Sequence, residues 1–159
     1  MKKSKKQTKE KRPDSLQLLK FVQGDNPALL NSLFAKDRLK TFENFVYDDQ
    51  KDAYCNSKKL AAAGFRFCGD VGEPDALCPF CSKEMSFDPE DDPWDEHKKH
   101  CPKCPFVVVN ELDEAKWTVD NLLLLIAALQ TNEKKAAVTK LSDQLATMFN
   151  DVLLSLSTK

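Results

Sequence analysis

The spacing of apolar residues changes along this chain, and each spacing predicts a type of secondary structure. Apolar residues recur every third position across residues 37–45, which predicts a helix with one apolar stripe facing a core. Residues 65–68 alternate between apolar and other side chains, as an edge strand does. Two more strands are predicted, one leading into Cys78 and one passing through Met85 and Phe87. The chain should therefore form helices followed by a small antiparallel sheet.

Capping residues mark where the shorter helices begin and end. Asn56 or Ser57 suits the N-cap of one helix, and Gly64 suits the position after it because glycine tolerates a positive φ. Asp92 and Pro93 together predict the start of another, with Asp92 as the N-cap and Pro93 as the first helical residue. This second helix follows the predicted sheet.

The longest helical pattern lies in the carboxy-terminal part of the chain. Thr118 is a suitable cap for a helix that begins at Val119 and continues to about residue 156, roughly 57 Å at 1.5 Å per residue. Thr131 and Asn132 are also capping residue types, so the sequence leaves open whether the helix breaks there. We assign residues 118–157 to this long, coiled-coil-like segment.

An apolar seam runs along this helical segment. In its second half the apolar residues recur at spacings of three and four. In its first half, residues 122–129 are apolar on all sides and must be covered on more than one. Packing on the chain's own domain is the ordinary explanation for such a stripe. Because this seam is too long for a small domain to cover, we predict partner helices. The predicted partner-facing residues are Leu122, Leu125, Leu129, Val138, Leu141, Leu145, Met148, Val152 and Leu156.

Composition narrows the class of protein. Charged residues make up 31% of the 159, and a net charge of −1 does not predict a nucleic-acid binder. Six cysteines without an amino-terminal apolar segment predict an intracellular protein with reduced thiols. The longest apolar run, residues 122–129, is far shorter than the roughly 20 residues that cross a bilayer. Residues 1–13 predict a disordered basic tail, and residues 14–35 a short helical lead-in.

A group of cysteine and histidine residues between positions 78 and 104 predicts a metal site. Cys78 and Cys81 are two residues apart in a Cys-Pro-Phe-Cys turn, so that their sulfurs can converge on one ion. His97 and Cys104 follow and complete a tetrahedral set of three sulfurs and one nitrogen. Because such a set has no open position, the sequence predicts a structural zinc ion and no hydrolytic chemistry.

The fourth ligand has an alternative. His97, Cys101 and Cys104 are spaced i, i+4 and i+7, so helical geometry alone admits either thiol. Pro102 disfavours helical backbone at Cys101, because the residue before a proline is pushed out of the α region. The roles of Cys55, Cys68 and Cys101 stay open at this point.

These motifs resemble those of the baculoviral IAP repeat, or BIR, family. The resemblance covers about residues 36–107 and implies an α+β fold: short helices around a small three-stranded antiparallel sheet, followed here by a long carboxy-terminal helix. It also implies that one zinc ion is bound by Cys78, Cys81, His97 and Cys104. The motifs that carry it are Arg38-Leu39-Lys40-Thr41-Phe42, Ala63-Gly64-Phe65, Cys78-Pro79-Phe80-Cys81, Asp91-Asp92-Pro93-Trp94 and the spacing from His97 to Cys104.

Within the family, the chain resembles the survivin-like branch. The shared features are a single repeat, the run Glu73-Pro74-Asp75, the run His97-Lys98-Lys99-His100 and the long helix after the domain. This resemblance implies a non-enzymatic adaptor of the chromosomal passenger complex, found in the nucleus, at centromeres and at the spindle midzone, with a cytoplasmic pool. Its helix would bundle with helices similar to those of inner centromere protein and borealin. Through the former it would place an Aurora-type kinase during mitosis and cytokinesis.

The resemblance also implies a binding site for the phosphorylated amino-terminal tail of a core histone. Asp91 and Glu96 would hold the free α-amino group, and Phe87, which stands where related proteins often have tryptophan, would wall in a small first side chain. Lys83 and His100 would contact a phosphothreonine, and Met85 is assigned to the same peptide site. An alternative for Asp91, Glu96 and the other acidic residues nearby is a solvated acidic face.

A second function remains an alternative, namely an inhibitor of apoptosis that binds caspases or their antagonists through the same pocket. The long helix favours the adaptor, since a simple caspase blocker does not need it. A RING ubiquitin ligase requires further zinc ligands, and no cysteine or histidine follows Cys104. The oligomeric state, including a homodimer, is not fixed by the sequence.

Overall fold

The computed structural model describes the backbone of residues 27–157 and the side chains of residues 30–155. The predicted tail at residues 1–13 and most of the lead-in at 14–35 lie outside the described residues. The described part is an α+β fold that ends in a long helix, as the sequence predicts. The α-helices are α1 Ala35–Leu39, α2 Ser57–Ala62, α3 Pro93–His100, α4 Pro105–Val109 and α5 Val119–Ser157; the strands are β1 Arg66–Phe67, β2 Asp75–Leu77 and β3 Glu84–Ser86; and 3-10 helices span Pro27–Ser32 and Glu114–Lys116.

The sheet is antiparallel, with the strands in the order β1-β2-β3. Arg66 pairs with Leu77 between the first two strands, and Ala76 pairs with Met85 between the last two. Ala76 on the central strand is fully buried, which places one face of the sheet against the core. The turn between β2 and β3 contains the Cys-Pro-Phe-Cys sequence, so the sheet fixes where that turn begins and ends.

The predicted helix over residues 37–45 is wrong in its extent, because α1 ends at Leu39. The Thr41 hydroxyl donates to the Arg38 carbonyl at 2.6 Å and accepts the Phe67 amide at 2.8 Å, which joins the helix end to β1. Asn44 then adopts a φ of 54°, outside the helical region. The apolar spacing nevertheless identifies buried residues correctly, since Phe42 and Phe45 are both in the core.

The predicted caps of α2 and α3 are confirmed. The Asn56 side chain accepts the Lys59 amide at 3.0 Å, and Asp92 accepts the amides of Trp94 and Asp95. Gly64 follows α2 with a φ of +97°, and a Cβ atom there would stand 2.8 Å from the Phe106 ring. Glycine is therefore required at this position both by the backbone and by the close approach of α4.

A fully buried arginine joins several segments of the domain. The Arg38 guanidinium donates through Nε to the Ala61 carbonyl at 3.0 Å and through Nη1 to the Leu33 carbonyl at 2.6 Å. The same group lies over the rings of Phe80 and Phe106, at 5.5 and 5.2 Å from their centroids. Arg38 thus connects the start of the domain to α2, to the Cys-Pro-Phe-Cys turn and to α4.

The long helix is continuous, so the break considered near Thr131 does not occur. Thr118 and Asn121 form the reciprocal side-chain bonds of a capping box at its start, as the sequence predicts for Thr118. Thr131 donates its hydroxyl to the Ala127 carbonyl at 2.7 Å within the helix instead of starting a new one. No helix in the described part of the chain combines the length and apolar character that a bilayer crossing requires.

Candidate metal centre and binding surfaces

The structure brings together the four residues predicted to bind metal. Cys78, Cys81, His97 and Cys104 each offer one ligand atom, and these atoms all lie within 4.8 Å of one another. Cys78 and Cys81 come from the turn between β2 and β3, His97 from α3, and Cys104 from the residue that precedes α4. His97 and Cys78 are fully buried, so the centre is closed to solvent on most sides.

The distances within this cluster fit a tetrahedral zinc site. Two sulfurs bound to zinc at about 2.3 Å lie roughly 3.8 Å apart in a tetrahedron. The Sγ atoms of Cys78 and Cys104 are 3.7 Å apart, and the Sγ atom of Cys81 is 3.8 Å from Nε2 of His97. Three sulfurs and one imidazole nitrogen at these separations match the Cys₃His sites that hold structural zinc and leave no position for a substrate.

A hydrogen bond on the side of the ring away from the sulfurs fixes the orientation of His97. Its Nδ1 atom is 2.8 Å from the carbonyl oxygen of Ala63. Because a carbonyl can only accept, Nδ1 carries the proton and the lone pair of Nε2 faces the three sulfurs. The ring packs against Phe65 at 4.6 Å between centroids, which keeps water from the imidazole.

The close contact of the sulfurs contributes to opposite shifts in the pKa values of Cys104 and Cys78. Hydrogen bonds from the Cys78 and Cys81 thiols, together with the amides of Val107 and Phe106, lower the pKa of Cys104 to about 3. Burial raises the pKa of Cys78 well above its usual value, and its contacts with Cys104 and Cys81 add to that rise. A divalent cation would lower the pKa of every cysteine in the cluster, because each sulfur binds the ion as a thiolate.

Cys101 is not part of the cluster, although the spacing admits it. It caps the end of α3, donating its amide to the His97 carbonyl at 2.8 Å, and its own carbonyl accepts the Cys104 amide at 2.9 Å. This tight turn carries the chain on to Cys104. Burial and the charges of Cys81 and Cys104 raise the pKa of Cys101 to about 11, and the Lys83 ammonium partly opposes them.

The predicted peptide residues divide into exposed and buried groups. Lys83 and His100 are exposed, and Met85 on β3 is half-buried. Phe87, by contrast, is only 1% exposed and meets the Phe65 ring edge-on at 5.1 Å. Its predicted role as the wall of an open pocket is therefore wrong. The reason is readable in the sequence, since residues two apart in a strand share a face and Phe87 follows Met85 toward the core.

The two carboxylates predicted to hold an ammonium group already have partners. Glu96 accepts from Lys99 Nζ at 3.0 and 3.1 Å and lies 3.0 Å from Nε2 of His100. The hydrogen bond from Lys99 lowers the pKa of Glu96, which keeps this carboxylate ionised. Asp91 accepts the Asp88 amide at 2.8 Å, in a turn that the Tyr54 and Cys55 amides fix by donating to the Pro89 carbonyl.

The predicted partner seam is divided between the domain and solvent. Leu125 and Leu129 are 0% and 4% exposed in the core of the domain, and Leu122 is half-buried against it. Leu125 and Leu129 are thus covered by the chain's own domain, which corrects their predicted role in partner binding, whereas that role of Leu122 stays a prediction. The remaining seam residues with described side chains are between 54% and 67% exposed, namely Val138, Leu141, Leu145, Met148 and Val152. The side chain of Leu156 lies outside the described residues.

Three features of the structure were not predicted. Phe149 and Leu153 are exposed beside the seam and widen its apolar face. Asn132 donates from Nδ2 to the Pro79 carbonyl at 2.9 Å, in the middle of the Cys-Pro-Phe-Cys turn. The buried guanidinium of Arg38 also escaped notice. Helical spacing would have found Phe149 and Leu153, but nothing local identifies the distant partners of Asn132 and Arg38.

Comparison with known proteins agrees with the geometry. Residues 38–108 match the family model described as BIR, Inhibitor of Apoptosis domain. The chain is 48% identical over 92 residues to the chromosomal passenger complex protein bir-1 of Caenorhabditis elegans, covering 58% of this chain and 57% of bir-1. It is 42% identical over 109 residues to the baculoviral IAP repeat-containing protein bir-2 of the same organism, covering 68% and 35%.

A vertebrate relative shows the same similarity. The chain is 40% identical over 96 residues to baculoviral IAP repeat-containing protein 5 of Rattus norvegicus, covering 58% of this chain and 66% of that protein. The matched stretch thus spans from about a third to just under two thirds of these relatives' own lengths.

Proposed function

Because residues 38–108 are a BIR domain in a survivin-like chain, we propose that this protein is a non-enzymatic adaptor subunit of a chromosomal passenger complex. The name of the related bir-1 protein supports the complex as a class. In this proposal the domain reads a chromatin peptide and α5 binds the other subunits. The metal holds the domain together and takes part in no reaction.

The observation that carries the proposal is the exposed second half of α5. All described side chains from residue 133 to residue 155 are exposed, although the helix there carries a run of large apolar residues. Leu141, Leu145 and Met148 alone leave more than half of each side chain in water. Burying that surface against other helices is favourable at about 25 cal/mol per Å². The helix is therefore suited to bundle with inner centromere protein-like and borealin-like helices, and through the former to place an Aurora-type kinase.

The surface proposed to read a phosphorylated histone tail lies at the two ends of α3. Asp91 and Glu96 stand near the helix start, where a free ammonium group would exchange for the Lys99 partner of Glu96. A threonine phosphate would gain charge-assisted hydrogen bonds from His100, the last residue of α3, and from Lys83, which directly precedes β3. Met85, half-buried on the edge strand β3, is included in the proposed surface. The burial of Phe87 removes that residue from the proposed pocket.

The test is capture of partners from mitotic cell extracts by the full chain. We expect inner centromere protein-like and borealin-like proteins and an Aurora-type kinase to be retained together. A fluorescent version should move from the nucleus and centromeres in early mitosis to the spindle midzone. Retention of caspases or their antagonists without these subunits would contradict the proposal and favour the alternative, an inhibitor of apoptosis.

A further inference from the structure

One hydrogen bond joins the long helix to the metal centre across the sequence. Asn132 donates from Nδ2 to the carbonyl oxygen of Pro79 at 2.9 Å, between residues 53 apart. Pro79 lies directly between the ligands Cys78 and Cys81. Asn132 therefore binds the part of the chain that delivers two of the four metal ligands.

The turn that contains Pro79 is otherwise built from its own backbone. Ser82 donates its amide to the Cys78 carbonyl at 2.8 Å, and Cys78 donates its amide to the Lys83 carbonyl at 2.9 Å. Ser82 also adopts a φ of 59°, which an L-residue rarely does without surrounding constraint. A shared metal ion supplies such a constraint, because it fixes the sulfurs on both sides of Pro79.

The same face of α5 packs into the core of the domain. Leu125, Leu129 and Asn132 are spaced i, i+4 and i+7, so they share one face of the helix. Leu125 and Leu129 belong to the same buried cluster as the ligands Cys78 and Cys104. This face thus combines apolar burial in the core with one polar contact to the Cys-Pro-Phe-Cys turn. We name residues 122–132 the docked segment.

We propose that metal binding and the seating of the docked segment are coupled, with the hydrogen bond from Asn132 to Pro79 as the link. When the four ligands share an ion, the turn presents the Pro79 carbonyl to Asn132 and seats the helix. When they do not, the turn loses its constraint and the helix loses an acceptor. By linkage, a seated helix must also hold the metal more tightly. This inference does not depend on the partners proposed for the exposed seam.

The first test measures metal retention in the full zinc-loaded chain. Zinc transfer to a chromogenic chelator is followed in the wild type, Asn132→Ala and the control Thr131→Ala, whose hydroxyl bonds only within the helix. We expect Asn132→Ala to release zinc about fivefold faster, the factor that corresponds to one net hydrogen bond, and Thr131→Ala to match the wild type. Equal rates in wild type and Asn132→Ala would overturn the proposal.

Hydrogen exchange separates coupling from general unfolding. In zinc-loaded Asn132→Ala, amides of the docked segment should exchange faster, while those of α2 keep the wild-type rate. Faster exchange throughout the domain, or no change in the docked segment, would count against the link. Asn132→Asp provides a second variant of the same size that cannot donate to a carbonyl. It should release zinc at least as fast as Asn132→Ala, because its carboxylate also repels the Pro79 carbonyl, and wild-type release from a folded Asn132→Asp would overturn the proposal.

Discussion

Nδ1 of His97 donates to the carbonyl oxygen of Ala63 across 2.8 Å, and this bond ties the metal centre to the end of α2. The Ala63 carbonyl lies at the end of a helix, where carbonyls have no partner within the helix. One imidazole therefore satisfies a buried helix end on one side and faces the metal position on the other. Metal binding and folding of the domain should accordingly be inseparable.

The first prediction follows from that relationship. Cys78→Ser, Cys81→Ser or His97→Ala should unfold residues 36–107, because the free energy of binding zinc is part of the free energy of folding in such sites. We expect one zinc ion per wild-type chain by elemental analysis and loss of the thermal unfolding transition in each variant. A variant that keeps a cooperative transition without zinc would contradict the structural role of the metal.

A second prediction distinguishes the two cysteines that follow α3. Cys104→Ser should lose zinc, whereas Cys101→Ser should retain it, because only Cys104 lies within the cluster of ligand atoms. Zinc content of the two purified proteins is the measurement, and each serves as the matched control for the other. Loss of zinc from the Cys101 variant alone would show that the ligand assignment is wrong.

A third prediction concerns the seam on α5. Leu145→Glu together with Val152→Glu should abolish capture of passenger subunits, because partner helices cannot bury unpaired carboxylates without a large cost. The control is Thr147→Glu with Asn150→Glu, which adds the same charge to the other side of the helix. Both proteins should keep the wild-type zinc content. Capture of the subunits by the seam variant would show that the seam serves another purpose.

A fourth prediction concerns the peptide surface and uses four histone-tail peptides, with a free or acetylated amino terminus and with or without a threonine phosphate. Asp91→Ala should weaken every peptide that has a free amino terminus. Lys83→Ala and His100→Ala should each remove about tenfold of the preference for phosphate, as expected for lost charge-assisted bonds. Glu96→Ala should affect both the binding of the free amino terminus and the preference for phosphate, because Glu96 also pairs with His100.

Acetylation provides the control for that titration. It removes the charge that Asp91 and Glu96 are proposed to face, so acetylated peptides should not bind. A merely acidic surface would instead bind basic peptides weakly, and acetylation would not change their affinity. That affinity would fall steeply with added salt. Equal affinity for the free and acetylated phosphopeptides would rule out the reader site.

A fifth prediction concerns the buried arginine. Arg38→Lys should destabilise the domain by on the order of 3 kcal/mol, because one ammonium cannot reach carbonyls of both Leu33 and Ala61 and leaves a buried acceptor without a donor. Lys40→Arg, an exchange at an exposed position of the same segment, is the control. Chemical unfolding of the zinc-loaded proteins measures the difference. Equal stability would mean that Arg38 does not join these segments.

The sequence predicts best the features that depend on neighbouring residues. The caps at Asn56 and Asp92, and the metal ligands around the Cys-Pro-Phe-Cys turn, follow from local geometry and were placed correctly. The helix over 37–45 was overextended, because Thr41 bonds to a strand that is distant in sequence. Aromatic residues three positions apart can also lie in turns and face the same core, so this spacing alone does not identify a helix.

The features that were missed depend on distant segments. The residues next to Arg38 in the sequence do not indicate that Ala61 and Phe106 will contact it. Likewise, the residues next to Asn132 do not identify Pro79 as its partner. The burial of Leu125 and Leu129 has the same origin, because an apolar stripe does not reveal whether its cover is the chain's own domain or another protein. The likeness to a known family helped with the metal, but it misled for Phe87.

The uninterrupted helix has a mechanical consequence. From Asn132 to Ser157 it reaches about 38 Å beyond its seat at 1.5 Å per residue. Over that reach, a tilt of about 10° at the seat would carry the far end sideways by roughly 7 Å. The direction of the exposed part is therefore set by the contacts of the docked segment, which are the buried leucines and the bond from Asn132 to Pro79. A partner bound at the far end would therefore move with any small change of angle at the docked segment.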